Sequence, residues 1–177
     1  EVCIRDSLKT ALHTCEREGS HLALMFLDMD RFKKVNDTLG HHVGDSLIME
    51  VARRLRSGMR TTDIVARLGG DEFVVLLPKI AHVDDGSMVA QKVLDLFNEP
   101  LRVGPHELRM TPSIGLVTYP AHGTDAATLM RHADLAMYQA KNLGRNRVQL
   151  FNSQLEAVTA DTLALENELY KALERQE

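Results

Sequence analysis

This chain of 177 residues has no excess of positive charge: 25 Asp and Glu stand against 21 Lys and Arg, a formal charge of −4. A protein built to coat nucleic acid is ordinarily basic. No nucleic-acid partner is therefore expected, and any anionic ligand needs a local cluster of cations. Cysteine is scarce, with only Cys3 and Cys15 present. On one helix they would lie about 18 Å apart, beyond disulfide reach. Without a disulfide framework the expected compartment is reducing, the cytoplasm. No apolar run approaches the roughly 20 residues that span a bilayer, and no signal peptide is read. The segment is expected to make no membrane contact, with membrane tethering of a longer protein left open. The eight histidines lack metal-ligand spacing, and no internal repeat or low-complexity stretch occurs.

What is present is a globular composition, 44% hydrophobic and 26% charged, long enough for one domain with a real core. Apolar positions at Ile4, Leu8, Ala11, Leu12 and Cys15 predict a helix over 4–18 that ends at Gly19. The run LALMFLD (22–28) predicts a buried strand with Asp28 at its C-terminal end. Residues 29–45 mix charge, Asn, Gly and His and read as loop or short helix. A helix follows over 45–59, capped by Asp45 or Ser46. DIVARL (63–68) and FVVLLP (73–78) read as the two arms of a hairpin. A helix over 83–98 precedes a second hairpin, from 101–103 through Gly104-Pro105 to 107–120. Thr124 or Asp125 caps a helix reaching Asn142 or Leu143, and 148–151 forms a last strand. This order predicts an α/β (α+β) fold, a mixed central sheet surrounded by helices.

The first hairpin carries Gly69-Gly70-Asp71-Glu72 at its tip. Glycine tolerates positive φ and leaves the backbone approachable. Adjacent acids repel unless solvated or shared with a cation. One reading is a glycine turn with solvated acids. The other adds Asp28 as a third carboxylate, making a hard-oxygen site suited to Mg²⁺ with substrate phosphates completing its shell. Arg31, Lys33 and Lys34 directly after Asp28, with Lys141 and Arg145 at the end of the last helix, are the cations that could neutralise a polyphosphate.

Gly69-Gly70-Asp71-Glu72-Phe73 is the signature of the GGDEF family, the diguanylate cyclases. Residues 26–45, 60–78, 113–120 and 133–148 resemble further family blocks in family order, and the resemblance covers about residues 5–151. It implies a palm-like fold, as in polymerases and class III nucleotide cyclases. The implied activity joins two GTP into cyclic di-GMP and two pyrophosphates, with Mg²⁺ (or Mn²⁺), at the interface of two such domains, so a homodimer is needed for turnover. By resemblance, Asp28, Asp71 and the Met29 carbonyl hold metal, and Glu72 assists the attacking hydroxyl or contacts metal. The backbone around Arg31 and Phe32, with Lys33, Lys141 and Arg145, would cradle the triphosphate. Asn36 and Asp45 match guanine readers, while Gly69 and Gly70 give the nucleotide access. Asp30 matches an acid of more structural role. Arg60-Thr61-Thr62-Asp63 matches an inhibitory motif at which cyclic di-GMP, the product, would bind through Arg60 and Asp63.

The block that usually opens the family is largely missing before Glu1, so the segment is expected to be trimmed from a larger protein. Residues 1–152 are assigned to the domain. Residues 153–177 read as a helical linker like those that lead into an EAL phosphodiesterase domain, so the protein is expected to continue. Two other functions follow from that setting: a catalytically weak GTP- or cyclic di-GMP-binding regulator of an adjacent phosphodiesterase, and a dimerising module.

Overall fold

The computed structural model describes residues 2–155. The elements run α1 (Val2–Glu18), β1 (His21–Met29), α2 (Phe32–Leu39), α3 (His41–Gly58), β2 (Ile64–Gly69), β3 (Glu72–Ile80) and α4 (Val83–Asp95). They continue with β4 (Leu101–Val103), β5 (His106–Leu108), β6 (Pro112–Tyr119), α5 (Ala126–Asn142) and β7 (Arg147–Leu150). The main sheet has the order β2-β3-β1-β6-β7. Its pairs are antiparallel except β6 with β7, which are parallel. The expected mixed sheet with surrounding helices is what the chain forms.

Strand β1 is central and is covered on both faces, which is why its sequence shows no period-two alternation. Ala23, Met25 and Leu27 point into a core made with Leu47, Val51 and Leu55 of α3 and Val93 of α4. Leu22, Leu24 and Phe26 point the other way, into a core with Leu8 and Leu12 of α1 and Ala133 and Met137 of α5. Each such fully buried Leu or Met contributes about 1.5–3 kcal/mol. Helix α5 lies hard against β6: a Cβ on Gly115 would run into the Ala133 carbonyl and the Met137 nitrogen. At its N-terminus the Asp125 carboxylate accepts from Thr128 N (2.9 Å) and Thr128 Oγ1 (2.6 Å), one of the two caps read from the sequence.

Three boundaries differ from expectation. Of the loop or short helix read over 29–45, residues 32–39 form the short helix, but α3 begins at His41 rather than at an Asp45 or Ser46 cap. Gly40 (φ 87°) makes the break, and Asp45 lies inside the helix. The second hairpin closes early: β4 and β5 form a separate two-stranded ribbon, and β6 joins the main sheet from Pro112. Its apolar run PSIGLVTY pairs with β1, whose buried position outweighs continuing the ribbon. Helix α4 stops at Asp95, although Phe97 beyond it is still buried. The predicted C-terminal helical linker lies outside the described residues.

Candidate active site

The β2–β3 hairpin turns at Gly70-Asp71, with Gly70 at φ 49°, where glycine carries no steric cost. A Cβ on Gly69 or Gly70 would meet nothing within 4 Å, so the surface over the tip is open. Glu72 stands directly across from Asp28 in the β1–β3 register, and such opposed residues share one face of the sheet. Met29 N donates to the Asp71 carbonyl at 3.3 Å. A strand residue's N–H and C=O point to the same edge, so the Met29 carbonyl also faces the hairpin tip. The three sequence-predicted acids are therefore neighbours at the ends of β1 and β3, without their side chains closing on one point.

Their charge is only partly neutralised. Burial pushes the Asp71 carboxyl up from its ordinary value and the Asp28 charge pushes it further, against smaller opposing pulls that include Lys141 and Arg67. Glu72 is raised in the same way by burial and Asp28, with Asp134 adding to it. Lys141 reaches down from the last turn of α5 and places Nζ 2.8 Å from Asp28 Oδ2. An ammonium thus already stands where a cation among these acids is wanted. That arrangement fits a divalent cation. The donors are hard oxygens, but among the described residues no three His, Cys, Asp or Glu side chains close on one point, so the acids alone are not a complete metal cage. Asp28, Asp71 and the Met29 carbonyl would be a partial shell that leaves positions for phosphate oxygens.

The segment after β1 is held by Asp30, which is buried. Its carboxylate accepts from Thr111 Oγ1 (2.7 Å), Ser113 Oγ (2.6 Å) and Asn146 N (3.1 Å). One acid thus ties the β1 end to β6 and to the α5–β7 loop. Two arginines on this scaffold, Arg31 and Arg145, both adopt φ 62°, a left-handed conformation costing about 1–2 kcal/mol in a residue with a Cβ. Arg31 immediately precedes α2, and Phe32 anchors that helix in the core. Lys33 is exposed at its start. Asn36 lies between α2 and α3, where Gly44 makes room: a Cβ there would run into Asn36 Oδ1. Asp45 follows Gly44 on α3, exposed. Asn36 of α2 thus touches the residue that precedes Asp45 on α3.

Arg60 and Asp63 form a compact turn before β2. Asp63 N donates to Arg60 O at 3.1 Å, and Arg60 N donates to Asp63 Oδ2 at 2.9 Å. Asp63 is buried, and its carbonyl accepts from Arg56. The pair is remote from the acids: it lines a surface hollow with Lys79 and Asp85.

Residues 2–147 match the family described as "Diguanylate cyclase, GGDEF domain". The chain is a GGDEF domain. Over 172 residues, 97% of its length, it is 41% identical to the bifunctional diguanylate cyclase/cyclic di-GMP phosphodiesterase MucR of Pseudomonas aeruginosa, and covers 25% of that protein. It is 40% identical over 162 residues, 92% of the chain, to the cyclic di-GMP phosphodiesterase NbdA of the same organism, covering 21% of it. The crystallised GGDEF domain of TpbB, also from Pseudomonas aeruginosa, superposes with a TM-score of 0.88 at 35% identity over 90% of this chain and 94% of that one. The GGDEF domain thus spans about a quarter of the curated relatives it resembles, which are larger signalling proteins. Among its described residues no helix is long and apolar enough to cross a membrane.

The GGDEF domain brings Asp28, Met29, Asp71, Glu72 and Lys141 together at one edge. Arg31 and Arg145 line one hollow beside Asp30, Phe32 is buried in the core, and Lys33, Asn36 and Asp45 lie along α2 and α3. Three contributors escaped sequence reading. Gly44 had a legible signal in the glycine between His41-His42 and Asp45; Asp134, one helical turn before Tyr138, had none. The Lys141–Asp28 ion pair joins residues 113 positions apart and had none either.

Proposed function

We propose that the GGDEF domain is a diguanylate cyclase: two GTP, one on each of two facing domains, become cyclic di-GMP and two pyrophosphates. The 3′-oxygen of each GTP forms a bond to the α-phosphorus of the other, the bond from that phosphorus to the pyrophosphate oxygen breaks, and the hydroxyl proton leaves to a base. The observation that supports this most is the Lys141–Asp28 ion pair beside Asp71 and Glu72, both raised by burial and by the Asp28 charge. Acids so placed favour a divalent cation, Mg²⁺ or Mn²⁺, which when bound would offset charge developing on the α-phosphate and acidify the attacking hydroxyl.

Asp28, Asp71 and the Met29 carbonyl would hold that cation. Glu72, whose carboxyl is raised, suits the role of accepting the hydroxyl proton. Lys33, Arg145 and the main chain at Arg31 and Phe32 would hold the triphosphate, with Lys141 turning from Asp28 to a phosphate oxygen. Asp45 can accept from guanine N1–H and N2–H while the Asn36 amide pairs with another base edge, and the open glycine tip admits the nucleotide. Arg60 and Asp63 would bind cyclic di-GMP as feedback inhibitor; one Asp63 oxygen is already engaged, so Arg60 carries most of that site. Because each domain holds one GTP, specific activity should rise with protein concentration. Concentration-independent activity would contradict the facing-domain reaction.

A second reading is favoured by the resemblance to NbdA, which is named for phosphodiesterase activity alone: a GTP-binding regulator of an adjacent EAL domain. GTP binding without cyclic product, at any protein concentration, would select it.

A further inference from the structure

On the side of α2 away from Asn36 the domain has a second concavity, of about 510 Å³. Its rim carries Arg31 and Lys34 from α2, Arg109 from the strand β5–β6 connection and Arg145 from the α5–β7 loop. None of these four side chains makes a hydrogen bond or ion pair within the described residues. The acid in the lining, Asp30, is buried and spends its carboxylate on Thr111, Ser113 and Asn146 N, so it does not offset the rim. Four free cations around one hollow stand out in a chain of net charge −4. Clustered cations of this kind favour an anion among them.

The place is distinct from the proposed guanine readers, Asn36 and Asp45. Lys34 and Asn36 are two residues apart on one helix, about 200° around its axis. It is also contiguous with the proposed phosphate cradle, because Arg31 and Arg145 belong to both. A polyphosphate released from the cradle would meet Lys34 and Arg109 next. The volume exceeds that of a bare diphosphate and leaves room for the water that such an anion keeps.

The geometry points to a polyphosphate site in this hollow, one that receives the pyrophosphate released by the reaction. It rests on the proposed cyclase reading for its occupant, and the shared chemistry is a diphosphate group, either free or as the β,γ end of bound GTP. The test is calorimetric titration of the 177-residue chain with sodium pyrophosphate, without metal or nucleotide, and separately with GTP. Lys34→Ala/Arg109→Ala removes two exposed cations, and thermal denaturation checks that it folds. Pyrophosphate should bind the wild type and should weaken at least about tenfold in the double variant, the equivalent of about 1.4 kcal/mol. Lys34, one of the polyphosphate cations read from the sequence, lines this hollow and not the proposed cradle of Lys33, Lys141 and Arg145. GTP affinity should therefore change by less than about threefold, exposed remote charges being screened. Asp45→Ala should weaken GTP and leave pyrophosphate binding unchanged. Absent pyrophosphate binding, or equal binding by the double variant, overturns the site. Equal losses for GTP and pyrophosphate also overturn it, because the hollow would then hold the nucleotide tail and not a separate product. None of these titrations reads cyclic product, so the site and the cyclase reading can fail separately.

Discussion

Replacing Lys141 by Met keeps its stem and removes the charge that sits on Asp28. At 2.8 Å a pair of unit charges in an effective dielectric near 20 attracts by about 6 kcal/mol. Desolvation and the ordering of a long side chain consume most of this. The side chains are 28% and 14% exposed, between a surface pair and a buried one, so the net loss should be about 1–3 kcal/mol. In a domain of this size that lowers Tm by roughly 3–10 °C at pH 7. The pH dependence has a definite sign. Asp71 and Glu72 already have raised carboxyls, and the Lys141 charge lowers both; without it they rise further. An acid raised in the folded state contributes stability that is present below its ordinary value and lost as pH rises through the folded value. The deficit of the variant should thus be full at pH 7 and shrink as pH falls toward 4. A divalent cation should reverse it: Mn²⁺ without nucleotide should bind the variant more tightly and raise its Tm more than that of the wild type, because no ammonium competes for Asp28. Differential scanning calorimetry over pH and Mn²⁺ concentration measures both. Equal stability at pH 7, or identical Mn²⁺ responses, would refute this account of the acid cluster.

Other outcomes follow from particular contacts. Asp30→Ala leaves the Ser113 hydroxyl and Asn146 N–H without their acceptor and should cost about 2–4 kcal/mol in urea denaturation. An unchanged midpoint would dismiss its latching role. Gly44→Ala pushes on Asn36 and should weaken GTP binding about tenfold, roughly 1.4 kcal/mol, in a domain that still folds; unaltered affinity would remove Asn36 from the proposed guanine readers. Gly115→Ala meets main chain of α5 on the far side and should destabilise by about 3 kcal/mol, seen as a lower denaturation midpoint.

How far the sequence alone carries depends on where each signal lies. The hairpin tip was legible because two glycines and two acids separate apolar runs, and the run before Asp28 read as a buried strand. Helix α5 was legible at both ends, from Asp125 and from Gly144. The α2–α3 region was half legible: it read as loop or short helix, but the break at Gly40 and the start of α3 at His41 were not placed. Nor was the left-handed backbone at Arg31 and Arg145, because nothing in an arginine announces positive φ. The cationic hollow needed the fold: Arg109 stands 75 positions after Lys34 in sequence, and the two come together only through the β6–β1 pairing. The acids were readable as candidates, while their neutralisation by Lys141 was a fact of the packing of α5 on β6.

The most direct measurement of the central claim is incubation of the domain at high concentration with GTP and Mg²⁺, followed by chromatography for cyclic di-GMP beside an Asp71→Ala sample. The account predicts cyclic di-GMP and pyrophosphate from the wild type, in a ratio of one to two, and none from the variant. Product at the same rate in both samples, or none from a wild type that binds GTP, would contradict it.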